Sequence, residues 1–132
     1  MHETPFMDVV KTICDKDPRY DPDAYLFVRA ALDYTAKVLD RPTEGLKRHI
    51  SGQELLEGIR TFAIQEFGPM TLTVLSTWGI HKTEDFGEIV FNLVETKTLG
   101  KTEEDTKEDF MGVYDFQQAF VQPFEPKKAL PQ

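Results

Sequence analysis

The sequence predicts a mainly α protein: one compact domain of five or six helices, with room for a minimal β-hairpin after Gly100. Three observations predict it. Ser51-Gly52-Gln53-Glu54 has the Ser-x-x-Glu form of a capping box. There a Ser oxygen and a Glu carboxylate satisfy orphan backbone donors at a helix start. Gly68-Pro69 closes the run that this box opens and starts the next, Gly79 closes the second, and Thr83 caps a third that ends at Gly100. Gly takes the left-handed conformation past a helix end, and Pro fits a first helical turn. Finally, apolar residues recur at helical spacing from Phe6 onward.

Phe6, Val9, Val10, Ile13 and Cys14 form an amphipathic stripe. Thr4 caps that first helix, and Asp17-Pro18 stops it, because Pro disfavours a helical residue before it. Asp21-Pro22-Asp23 starts a second helix over residues 22–39, with a cap, a first-turn proline and a dipole-favoured acid. Its apolar residues, among them Tyr25, Phe27, Val28 and Leu32, cover much of its circumference, the pattern of a central helix. A polar, locally basic link over 43–50 follows. The third helix, over 52–67, carries Leu55, Ile59, Phe62, Ala63 and Phe67. The fourth, over 69–78, is short and apolar, and the fifth, over 84–99, buries Phe86, Ile89, Val90, Leu93 and Val94. Residues 101–109 hold five acids and two lysines and read as a solvated excursion. Residues 110–114 read as a short strand or an irregular aromatic segment. Asp115-Phe116-Gln117-Gln118 caps a short helix over 116–121. The expected division is a tail over 1–5, a single helical domain over 6–124 and a second tail over 125–132.

A chain of 132 residues is long enough to bury a real core. Ten Phe, spread from Phe6 to Phe124, should draw that core from the whole chain. The formal net charge of −8 opposes phosphate backbones and favours basic partners. The single cysteine, Cys14, allows no internal disulfide and fits a reducing compartment. No run approaches the ~20 apolar residues of a membrane span, and the first residues have no signal-peptide pattern. The expectation is a cytoplasmic protein.

Several motifs stand out together. They are Asp15-Lys16-Asp17-Pro18-Arg19-Tyr20, the stretch from Arg48 to Leu56, Phe67-Gly68-Pro69-Met70, the stretch from Trp78 to Val90, and Gly112-Val113-Tyr114-Asp115-Phe116. In these the chain resembles a family of short bacterial proteins of unknown function. The resemblance implies a self-contained bacterial domain. It brings no activity, cofactor or site residue with it.

Candidate chemistry is sparse. His49 and His81 sit before the third and fifth helices, and with Glu54 or Glu84 they are the candidates for a metal site. No His-Glu-x-x-His or paired-Cys pattern supports one, so the histidines read as hydrogen-bonding struts, and no metal or cofactor is expected. Cys14 lies on an apolar stripe and reads as a small hydrophobe; a nucleophile would need a lowered pKa and a base. Glu84, Asp85 and Glu88 suit the dipole of the fifth helix. Arg41, Lys47, Arg48 and His49 form the one positive run. Helices three to five followed by an aromatic segment have the order of a winged-helix unit. The fifth helix, with Glu84, Asp85, Glu88 and Glu95 against Lys97, is too acidic to read DNA.

The leading expectation is a protein-interaction module without catalytic activity, with a protein partner or self-association, no membrane and no nucleic acid. A winged-helix-like regulator contacting nucleic acid is the first alternative. A small enzyme or metal protein using His49 and His81 is the second.

Overall fold

A computed structural model describes residues 5–40, 50–96 and 107–126 of the chain. Five helices carry it: α1 (Pro5–Lys16), α2 (Pro22–Val38), α3 (Gly52–Phe67), α4 (Thr71–Thr77) and α5 (Thr83–Glu95). Local chemistry explains most of their ends. The Asp21 carboxylate accepts the Asp23 N–H at 2.9 Å and caps α2. The capping box of α3 is complete: Glu54 N–H donates to Ser51 Oγ at 3.1 Å, and Ser51 N–H donates to Glu54 Oε1 at 3.0 Å. The positive run at Arg41, Lys47, Arg48 and His49, and the acids from Glu103 to Asp105, lie outside the described residues.

α2 and α3 are antiparallel. Phe27 meets Phe62 and Phe67, Tyr34 meets Phe62, and Thr35 sits against Gly58. α2 is the central helix its composition predicts, burying Tyr25, Phe27, Val28, Ala31 and Leu32. One core cluster runs from Val10 of α1 to Phe120 near the C-terminal end. Burial of this kind is the main stabilising term, at roughly 25 cal/mol per Å² of apolar surface.

Several details differ from the sequence reading. The fourth helix begins as a 3-10 turn over Gly68–Met70, with the α-helix starting at Thr71. The buried Thr71 hydroxyl bonds the carbonyls of Gly68 (2.6 Å) and Ala63 (3.2 Å), pinning α4 back onto α3. Thr83 is not the cap of α5. Its hydroxyl donates to the Phe110 carbonyl at 2.6 Å and accepts the Val113 N–H at 3.2 Å. The Asp85 carboxylate instead takes the N–H groups of His81 and Lys82. No strand occurs among the described residues, so the hairpin after Gly100 has no counterpart there. Lys107–Phe110 is a 3-10 turn, and Phe110 closes against Gly52 and Gly87. The short helix near 116–121 forms as a π-helical turn over Gln117–Val121, held by the Asp115 carboxylate at the N–H groups of Gln117 and Gln118.

Candidate functional site

The turn between α1 and α2 meets the turn between α4 and α5. The Asp21 N–H donates to the Trp78 carbonyl at 3.1 Å. Gly79 has φ +87° and faces the Arg19 carbonyl, where a Cβ would overlap the oxygen. Only glycine satisfies both conditions without strain. The two turns wall a cleft of about 440 Å³, lined among others by Cys14, Arg19, Tyr20, Asp21, Ser76 and Trp78.

A polar clamp ties α1, α2 and α5 beside this cleft. Asp17 accepts from Arg19 Nε (2.8 Å), Arg19 Nη2 (2.7 Å) and Asn92 Nδ2 (3.0 Å). Arg19 also reaches Glu88 at 3.1 Å, and Glu88 takes Lys107 at 3.3 Å. Asn92 donates to Tyr25 Oη at 2.9 Å, and the Tyr20 hydroxyl donates to Asp85 at 2.7 Å. The Arg19 hydrogen bonds hold the Asp17 carboxyl well below the usual carboxylate range. Burial, then the bond to Asp85, raises Tyr20, and burial pushes Tyr25 up to about 12. Groups fixed in one protonation state around neutral pH make a clamp rather than an acid–base pair.

The Asp17 shift fixes a pH dependence. Above the ordinary value of 3.8 the carboxylate is ionised in folded and unfolded chains, and the clamp contributes fully. As pH falls through the lower folded value, native Asp17 also binds its proton and the contribution disappears. Asp17→Asn should cost about 1–2 kcal/mol at neutral pH, reduced by partial solvent exposure. The difference between the two proteins should shrink below about pH 4. Urea titrations over a pH series check this; a constant difference down to strongly acid pH would reject the clamp.

The candidate residues are scattered. Cys14 is half-buried with its thiol 3.7 Å from the Tyr20 carbonyl. Burial, then Asp21, Asp15 and Asp17, pushes its pKa up, away from a reactive thiolate. His81 is exposed, and its backbone N–H donates to Asp85. Glu84 accepts a long 3.4 Å bond from Thr83, Glu54 closes the box of α3, and His49 lies outside the described residues. Among the described residues no three His, Cys, Asp or Glu side chains gather around a metal position. Nor is any helix among them long and apolar enough to cross a membrane.

A second feature was not legible from spacing. Five rings form a chain across α2, α3 and the end of α4. Tyr34 lies 5.2 Å from Phe62, Phe62 lies 5.5 Å from Phe27, and Phe27 lies 5.5 Å from Trp78. Phe67 completes it edge-on to Trp78 at 5.7 Å. Phe27 is buried, whereas Tyr34, Phe62, Phe67 and Trp78 are each half-buried. Met70, in the adjoining 3-10 turn, is 56% exposed.

No family model, curated protein or solved structure matches the chain. That agrees with a resemblance that carries no activity, and function rests on the side chains themselves. The segment after α5 where a wing would begin, residues 97–106, lies outside the described residues. Asp85 and Glu88 of α5 are committed to Tyr20, Arg19 and Lys107, and no strand follows α5 among the described residues. The clamp was missed because Asp17, Arg19 and Glu88 read individually as a helix stop, a turn and a dipole acid. The signal that existed was Asp17-Pro18-Arg19, where a rigid proline sets an acid and a guanidinium two residues apart.

Proposed function

We propose that this chain is a protein-interaction module that docks a partner on the aromatic face of Tyr34, Phe62, Phe67 and Trp78, extended by Met70. The observation that carries the reading is a set of four half-buried rings joined through the buried Phe27, with Met70, three residues after Phe67, 56% exposed. Aromatic residues and Met are enriched in protein interfaces, and Trp and Tyr dominate their hot spots. Contiguous apolar surface on a soluble domain commonly marks such a site. The titratable groups nearby support the same reading. Asp17, Arg19, Tyr20 and Asp85 bond one another, and the Cys14 thiol keeps its proton, so no nucleophile or acid–base pair stands ready.

A photo-cross-linking residue placed at Met70 in the native cell tests this, with Gln53 at the far end of α3 as the control. The expected result is one discrete adduct from position 70 and none from position 53. The partner so identified, once purified, should bind the chain directly. Met70→Asp should weaken that binding at least tenfold, about 1.4 kcal/mol. No adduct at position 70, the same adducts from both positions, or binding indifferent to Met70→Asp would refute it.

A further inference from the structure

We infer that the occupant of the aromatic face is a basic, amphipathic segment of a partner protein, with a Lys or Arg side chain entering the cleft beside Trp78. This rests on the docking role proposed above and adds the chemistry of the partner. The Trp78 end of the face is acidic. Asp21 lines the cleft, Asp23 lies one turn before Phe27 on α2, and Glu66 lies one turn after Phe62 on α3; all three are exposed. Lys16 and Lys82 are exposed near this end, whereas the two arginines of the neighbouring segments are engaged. Arg19 is bound by Asp17 and Glu88, and the Arg29 guanidinium lies over the Phe6 ring at 4.7 Å. Lys37 stands at the other end of the face, one turn after Tyr34.

The cleft suits a long cationic side chain. Its 440 Å³ are lined by both Trp78 and Asp21. An aliphatic stem can lie on the ring while the cation meets the carboxylate, and a cation near a Trp face gains further attraction. After burial, the nearby carboxylates of Asp21, Asp15 and Asp17 also push the Cys14 pKa up. The net charge of −8 is of the same sign. It steers basic partners inward and repels a second copy of the chain.

Trp78 is the single tryptophan of the sequence, so its fluorescence reports this position alone. Two probes would be titrated into the full chain: a 14-residue amphipathic peptide of Leu and Lys, and its counterpart of Leu and Glu. The Leu/Lys peptide should shift Trp78 emission saturably, with an affinity that falls several-fold between low and physiological salt. The Leu/Glu peptide should not. A triple variant, Asp21→Asn, Asp23→Asn and Glu66→Gln, should weaken Leu/Lys binding at least tenfold; Asn at position 21 keeps the cap of α2. A control triple of equal charge change, Asp8→Asn, Glu95→Gln and Glu108→Gln, should weaken it far less, which separates the site from general attraction.

Equal effects of the two triples would overturn the inference, as would binding of neither peptide. Equal binding of both peptides at Trp78 would remove the basic partner but leave the docking face standing. Concentration-dependent Trp78 emission without peptide would replace the partner by a second copy. The Met70 cross-link decides the docking role independently of all these results.

Discussion

Gly79→Ala should lower stability by about 3–5 kcal/mol, combining left-handed strain with a backbone clash. Gly79 holds φ +87°, and the new Cβ would meet the Arg19 carbonyl oxygen. That oxygen belongs to a backbone fixed on both sides. Asp17 holds the Arg19 side chain, and the Asp21 N–H is bonded to the Trp78 carbonyl. Little can yield except the junction of the two turns. Gly112→Ala is the internal reference. Gly112 holds φ +59° with nothing within 4 Å of a built Cβ, so it should lose only the backbone term, about 1–2 kcal/mol. Denaturant unfolding of the two variants measures the difference. Equal losses would mean that the approach to Arg19 contributes nothing. Because Trp78 precedes Gly79, its emission should also change in Gly79→Ala and stay unchanged in Gly112→Ala.

Phe110→Ala should cost about 3–5 kcal/mol, the usual range for a fully buried Phe. That is a large share of the roughly 5–15 kcal/mol that stabilises a domain of this kind. Phe110 is 1% exposed and lies edge-on to Phe91 at 6.3 Å. A Cβ on Gly52 would stand 3.0 Å from its ring, and a Cβ on Gly87 would stand 2.8 Å from its own Cβ. The two glycines form a notch on α3 and α5 that the ring fills. A sign reversal tests that geometry. With Phe110 present, Gly52→Ala sets a Cβ 3.0 Å from the ring, overpacks the notch and should cost about 1–3 kcal/mol. With Phe110→Ala, those ring atoms are gone, so the same change fills vacated space and gains helix propensity, up to about 1 kcal/mol. A double-mutant cycle reads the coupling. Additive effects would reject the notch.

Gly87 shows how far the sequence could be read. In the first turns of α5 it is a propensity liability explained by a close contact, and the spacing of apolar residues correctly places it on a helix. The identity of the contact, Phe110, lies beyond residues 97–106 and leaves no local trace. Thr83 shows the opposite error. It has the chemistry of a helix cap and stands where a cap belongs, yet its hydroxyl bonds Phe110 and Val113. The aromatic face was equally hidden. Phe27, Phe62, Phe67 and Trp78 each fit a helix stripe, and which of them stay half-open depends on how α2, α3 and α4 cross.

By itself the sequence determined the helices. Asp21 before Pro22, Ser51 with Glu54, and Gly68 before Pro69 act on backbone groups within three or four residues, so their effect survives without tertiary context. It also determined the formal net charge of −8. Only the tertiary structure decided the rest. Asn92 reaches Asp17 across 75 positions, Arg19 reaches Glu88 across 69, and Tyr20 reaches Asp85 across 65. Contacts at such separations exist only after chain closure has been offset by burial of the core. The Asp17 clamp, the Gly79 junction and the open face around Trp78 are therefore consequences of packing.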